Sequence, residues 1–278
     1  MPLTTPLRSV DALIEAVLAG EHGPAPSGVL ATSVFWLHHG TRLAGGDTTY
    51  LNQYALVRLG GSFGGCAFEA GEIAPSVCRD FSGAPLDVLL REASRPLRIA
   101  ALDAYLSETR PHRVAGEAGD AEAVTLPAGT PEVRARARDA AVAGLLDIEQ
   151  GARVGLIGVV NPLVAAIRER GGEPLPCDLN LRATQWGDPV TADMHEVLER
   201  ADAVVATGMT LSNGSFDTVL ERCRVRGIPL IVYAQTGSAV ARAFLGSGVT
   251  ALSAEPFPFS QFSAEETALY RYRAVGGA

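Results

Sequence analysis

A chain of 278 residues exceeds the usual single-core size, so two domains are the starting expectation, and with 47% apolar and 19% charged residues it is too apolar for disorder. The formal charge of -8 speaks against a nucleic-acid partner, because phosphate-backbone affinity rests on an excess of cations. All 23 basic residues are arginine; without lysine, a pyridoxal phosphate Schiff base, a Walker P-loop and a kinase-type lysine are excluded.

No run approaches the roughly 18 apolar residues of a membrane span, and the N-terminus lacks a basic region before an apolar signal core. A cytoplasmic protein with no membrane partner is expected. Cys66, Cys78, Cys177 and Cys223 form no CxxC pair, so reduced thiols are the default.

Ser9 is a plausible N-cap for VDALIEAVLAG, which places Leu13, Ile14, Val17 and Leu18 on one helical face. Two β-rich runs follow, GVLATSVFWLH and TYLNQYALVRL, separated by the turn-forming LAGGD and closed by GGSFGG, as in a small antiparallel hairpin or meander. Helical stretches PLDVLLREAS and PLRIAALDAYLSE complete an α+β first half, residues 1–108. Residues 109–130 carry no periodicity and are expected to be the domain linker. Thr130 and Pro131 then open a helix that feeds the second domain, residues 131–278.

From Arg153 onward the pattern alternates: strands RVGLIGVV, PLPCDL, DAVVAT, PLIVYA and VTALS, each separated by a helix. Short apolar strands joined by helices demand right-handed crossovers and a parallel sheet covered on both faces. The fold class is therefore α/β, a Rossmann-like doubly wound sheet preceded by a smaller α+β domain.

Ligands of such sheets bind outside the carboxyl ends of the strands, so the strand-to-helix turns are the places to look. In the first, Gly158 leads to Asn161, expected to cap a helix whose free N–H groups suit an anion. The GxGxxG fingerprint is missing, which speaks against NAD. Asp178, ending the second strand, stands where a ribose-binding carboxylate would sit, or where a turn simply needs an Asp. The third turn, Thr207 to Ser215, is rich in hydroxyls and amides, and Ser215 is expected to cap the next helix. It suits a carboxylate, a phosphate or a metal chelate. Gln235 and Thr236 open a fourth polar turn, lining the same crevice if its strand neighbours the third. The tail Glu255–Phe259 is placed to close the crevice as an apolar wall or to dock on a partner subunit, so a homo-oligomer is expected.

Of the adjacent His38 and His39 at most one points inward. Cys66 and Cys78, with His38, are candidate ligands for a transition metal ion, against the plainer reading of buried, unreactive thiols. Arg134, Arg136 and Arg138, like Arg222, Arg224 and Arg226, read as solvated helix faces. No GxSxG, HExxH or catalytic triad is recognisable.

The segments RVGLIGVVNPLV, DAVVATGMTLSNGSFDTVLERC and PLIVYAQTGSAV, with GSGVTALS after them, resemble the Rossmann-like domain of the putative heavy-metal-chelation family. FSGAPLDVLLREASRPLRIAALDAYL is similar to that family's companion domain, which implies an enolase-N-terminal-like fold for the first half. The resemblance implies a metal-related role at a cleft between the domains, with Thr207, Gly208, Thr210, Asn213 and Ser215 matching the family's polar turn. Met209, Gln235, Thr236 and Asp103 depart from its pattern. The expected function is thus binding of a metal ion, metal chelate or anionic metabolite in the inter-domain cleft. The alternative is an enzyme of a specialised biosynthetic pathway acting there on an amino-acid-like or nucleotide-bearing substrate, with Asp178, Asn213 or His38 in polar roles.

Overall fold

The alternation that begins at Arg153 builds the larger of two sheets. The computed structural model describes residues 7–42, 49–92, 94–113 and 120–274; the LAGGD turn lies outside them. In chain order the elements are α1 (Val10–Leu18), β1 (Ser33–Arg42), β2 (Thr49–Leu59), β3 (Ser62–Ala67), α2 (Val77–Phe81), α3 (Leu86–Leu90), α4 (Arg95–Thr109), β4 (Glu122–Leu126) and α5 (Pro131–Ala143). Then come β5 (Arg153–Ile157), α6 (Asn161–Glu169), β6 (Glu173–Cys177), α7 (Met194–Arg200), β7 (Ala203–Thr207), α8 (Met209–Ser212) and α9 (Phe216–Arg226). Last are β8 (Leu230–Ala234), α10 (Ser238–Ala243), β9 (Ala251–Ala254) and β10 (Thr267–Arg273), with a 3₁₀ turn at Ser260–Phe262.

The small sheet is the antiparallel meander β1-β2-β3, and GGSFGG supplies its third strand. The large sheet runs β4-β10-β9-β8-β7-β5-β6. The five strands from β5 to β9 are parallel, as the alternation demands. Two antiparallel strands that the periodicity did not announce extend it: β10 beside β9, and β4 beside β10. β4 forms within 109–130, where the sequence shows no pattern, because an edge strand of five residues needs only a partner and one buried side chain, Leu126.

Within the parallel part the order is that of a flavodoxin-like sheet, with the second strand outside the first. The chain reverses direction across the sheet between β5 and β7. Helices α5 and α6, with the turn after α5, cover one face, burying Val142, Leu146, Leu163, Val164 and Ile167. Helices α7, α9 and α10 cover the other, and their apolar core continues without a break into α1, α3, α4 and the small sheet. At α1 the expected cap is present: Ser9 Oγ accepts from Ala12 N–H.

Helix α4 is the hinge piece of this shared core. Its backbone comes so close to β3 that a Cβ on Gly64 would overlap the Ala104 N and the Ala100 O. Those are backbone atoms and cannot rotate away. Gly64→Ala is therefore expected to lower the unfolding free energy by about 3 kcal/mol, the upper range for overpacking, whereas Gly61→Ala, which meets nothing within 4 Å, changes it by less than about 1 kcal/mol. Urea denaturation of both variants checks this; equal midpoints would contradict it.

Candidate functional site

The turns at the carboxyl ends of β5, β7 and β8 meet where the strand order reverses. Gly158 takes a left-handed conformation (φ 86°), and a Cβ there would overlap the Thr207 methyl. Its carbonyl accepts from the Tyr233 hydroxyl at 2.9 Å, so β8 reaches across β7 to fix the turn after β5. Asp178 fixes it from the other side. One carboxylate oxygen accepts from Val159 N–H (3.0 Å), the other from Asn180 and Leu181 N–H (2.8 and 3.1 Å).

Asn161 does not cap α6. Val160 occupies the cap without a side-chain bond, while Asn161 Oδ1 accepts from Gln185 N–H at 3.0 Å, tethering the long loop between β6 and α7. Capping needs the side chain to fold back on its own first turn; here it is used across the chain instead. The N–H groups of Val160 and Asn161 meet no protein acceptor among the described residues.

The Thr207–Ser215 turn spends most of its polar groups on its own shape. Thr207 Oγ1 accepts from Met209 N–H (3.4 Å), Thr210 donates to Thr207 O (2.7 Å) and Gly208 N–H donates to Tyr233 O (2.8 Å). Asn213 Oδ1 accepts from both the N–H and the hydroxyl of Ser215 (3.0 and 2.7 Å). Ser215 therefore does not cap α9 with its side chain. Thr210 and Thr236 are buried, and Met209 is exposed at the rim.

β7 and β8 are neighbours, so the third and fourth turns do lie side by side. Gln235 Nε2 donates to Glu255 Oε2 (2.7 Å), Ser260 Oγ (3.2 Å) and Gln261 Oε1 (3.0 Å). Glu255 is itself buried, and its other oxygen accepts from Ser260 N–H. The aromatic residues after it turn toward the small sheet: Phe257 on Phe63 (centroids 5.1 Å), Phe259 on Tyr54 (5.4 Å) and Phe262 on His39 (5.3 Å). The segment from Glu255 to Phe262 thus lies between the two sheets.

Two residues of α5 complete this region. Arg138 Nε donates to Asp139 Oδ1 at 3.0 Å and its Nη1 to Ser260 Oγ at 3.3 Å. Burial raises the Asp139 carboxyl above its usual range, against the opposing pull of Arg138. Burial also raises the Tyr54 phenol to about 12, again offset by Arg138, and lowers His39, with His38 adding to the effect. Asp139, Arg138 and Asp178 all act electrostatically on the Tyr233 phenol. Sequence reasoning missed Arg138, Asp139 and Tyr233 as site residues; it met Glu255 only as the start of an apolar wall and His39 only as one of two histidines of which at most one points inward. For the arginines the signal was present: Arg134 and Arg138 are four apart and share a helix face, and only Arg136 is strongly exposed. Arg226 is likewise not a solvated side chain, since it donates to the Leu198 and Ala201 carbonyls.

The candidate metal ligands are not brought together. His38 is exposed in the middle of β1, Cys78 stands on α2, and Cys66 is buried, donating to Ala67 O at 3.3 Å. Burial, with Asp103 and Glu72 nearby, pushes the Cys66 thiol well above its ordinary value, which keeps it protonated and a poor ligand. Among the described residues no three His, Cys, Asp or Glu side chains gather as a metal site, so the donors present do not fit a bare ion.

Comparison with known proteins bears on the same half of the chain. Residues 141–255 match the model of a family described as putative heavy-metal chelation. This is the family the sequence resembles. Two solved structures, both titled as proteins of unknown function from the DUF364 family, share the fold over 94% of this chain and 97% of theirs. One is from Desulfitobacterium hafniense (16% identity, TM-score 0.61), the other from Pyrococcus horikoshii (14%, 0.56). No curated protein matches the chain. Among the described residues no helix is long and apolar enough to cross a membrane.

Proposed function

We propose that this protein binds a small anionic ligand, either a metabolite or a metal chelate, at the carboxyl ends of β5 and β7. The observation that carries the reading is the convergence at the strand-order reversal: unpaired N–H groups at the start of α6, the Gly158 turn held by Tyr233 and Asp178, and the positive charge of Arg138 acting on the Tyr233 phenol that grips the turn. Helix N-termini at such reversals favour negative charge. The family description, heavy-metal chelation, is then met by a metal carried inside a chelate, since the donor set suits an anion better than a naked cation. Thr207 and Gly208 shape the floor, while Thr210, Asn213 and Ser215 keep the neighbouring turn rigid.

Titration calorimetry with succinate, tricarballylate, ferric citrate and zinc chloride tests the reading. Carboxylates or the chelate are expected to bind, and zinc alone to give no specific heat. Gly158→Ala, which crowds Thr207 and shifts the turn, is expected to weaken binding by roughly tenfold or more, with retained fold checked by near-UV circular dichroism. Specific binding of zinc alone, with no response to any carboxylate, would overturn it.

A further inference from the structure

Two donors on opposite sides of the Glu255–Phe262 segment are left without acceptors. Tyr54, on β2, is 7% exposed, and its ring meets the Phe259 ring at 5.4 Å. Arg138, on α5, has a side chain 12% exposed and holds the next residue, its Nη1 donating to Ser260 Oγ at 3.3 Å. Consecutive residues of one segment thus touch the small sheet on one side and α5 on the other. Arg138 spends Nε on Asp139 and Nη1 on Ser260. Neither its Nη2 nor Tyr54 Oη makes a hydrogen bond among the described residues. Both nevertheless reach solvent: the sealed, unpartnered polar atoms of this region are His39 Nε2 and Asp139 Oδ2, and Tyr54 Oη and Arg138 Nη2 are not among them. Two nearly buried side chains therefore bring free donors to a gap beside Phe259 and Ser260.

The acceptors nearby are already engaged. Glu255 receives Gln235 Nε2 and Ser260 N–H, and Ser260 Oγ receives Gln235 Nε2 as well. We infer that Arg138 and Tyr54 form a carboxylate subsite in the inter-domain cleft, one ligand oxygen accepting from Arg138 Nη2 and the other from Tyr54 Oη. Two donors match the two oxygens of a carboxylate, whereas a phosphate would bring more oxygens than the gap can satisfy. Burial pushes the Tyr54 phenol up to about 12, so it stays protonated and donates. The surrounding charge accommodates an anion. Arg134 Nε donates to Ser260 O at 3.3 Å, so two guanidiniums stand against the carboxylates of Asp139 and Glu255, and burial raises Asp139 toward its neutral form. The subsite lies beside the carboxyl end of β8, because Gln235 follows that strand and shares Ser260 Oγ with Arg138. It goes beyond the strand-end site proposed above and does not rest on it.

Fluorine NMR of the full chain labelled with 3-fluorotyrosine reads the subsite locally. The chain has six tyrosines, and the signal lost in Tyr54→Phe is that of Tyr54. This signal is expected to move saturably with acetate or succinate, and to stay still with acetamide and with sodium chloride at matched ionic strength. Arg138→Gln is expected to weaken the response at least about tenfold, with the fold checked by the remaining tyrosine signals. A Tyr54 signal that neither carboxylate moves would overturn the inference. So would equal movement by acetamide, which offers an acceptor without a charge, movement by inorganic phosphate alone, or an unaltered response in a folded Arg138→Gln. The wild-type titrations decide the point even if that variant fails to fold. A Cβ on Gly158 meets Thr207 and Tyr233, not Tyr54 or Arg138, so Gly158→Ala tests the strand-end site separately from this one.

Discussion

Replacing Arg134 by Met is expected to lower the unfolding free energy by about 4 kcal/mol, the largest loss for any single arginine in the chain. The guanidinium is fully buried and donates to four acceptors. Nε reaches Ser260 O at 3.3 Å, Nη1 reaches Pro127 O at 2.8 Å and also Glu265 O, and Nη2 reaches Thr267 Oγ1 at 2.5 Å. Three of these are backbone carbonyls from segments far apart in sequence. They join the end of β4, the Glu255–Phe262 segment and the start of β10 to α5. Methionine fills much of the volume but offers no donor, so buried carbonyls are left unpaired at about 1–3 kcal/mol each, softened where water enters. A loss of this size corresponds to a fall in melting temperature of roughly 10 °C. Arg134→Lys should recover only part, because an ammonium group lacks the planar fork that meets spread acceptors. Arg136→Met is the control: its side chain is 74% exposed and pairs only with Glu132, so it should change stability by less than about 0.5 kcal/mol. Indistinguishable melting curves for the two Met variants would remove Arg134 from its role.

That arginine also marks where sequence reasoning stops. The parallel strands β5 to β9 were legible because each is a short apolar run followed by a helical period, a local signal. The antiparallel additions β4 and β10 were not, since TALYRYR and EAVTL acquire meaning only by pairing with each other across more than a hundred residues. The candidate turns were legible by position, as strand ends before helices. What their side chains do was not: Asn161 and Ser215 look like caps, yet each has a tertiary or local partner that capping rules do not foresee. Asp139 and Tyr233 come together only through the fold, and nothing in ARARARDAA or PLIVYA distinguishes them. Asp103, a departure from the resembling family's pattern, proves to be a link from α4 to the small sheet and to α10. Its Oδ2 accepts from Gly65 N–H on β3 at 2.9 Å and its Oδ1 from Ala239 N–H on α10 at 2.8 Å.

The acid response of the protein should be shaped by two groups that grip the first turn of α10 and titrate in opposite senses. His112 Nδ1 pairs with the Tyr272 hydroxyl at 2.7 Å and Nε2 with Ser238 Oγ at 3.3 Å; burial first, then Arg242, lowers it from 6.5 to about 3. The unfolded chain therefore binds a proton there that the folded protein refuses, so stability is lost as pH falls from about 6.5 toward 3, by up to about 5 kcal/mol. Asp103 runs the other way. Burial outweighs its backbone donors and raises it from 3.8 to about 6, so the folded protein holds a proton that the unfolded chain has released. Stability from this group is gained as pH falls through about 6, by about 3 kcal/mol once below 3.8. Between about pH 6 and 4 the two slopes oppose and nearly cancel, whereas below about 4 only the histidine slope remains. His112→Gln should thus expose the carboxylate alone: relative to wild type, its stability climbs as pH is lowered from 6 to 4. Asp103→Asn should do the reverse and lose stability steadily over the same interval, on top of a fixed cost of about 1–3 kcal/mol from placing an amide N–H against a backbone donor. Urea unfolding at half-unit steps of pH separates the cases, because differences between variants cancel the titration of every other group. If both variants track the wild-type profile in parallel, the grip on α10 is not where this protein senses acid.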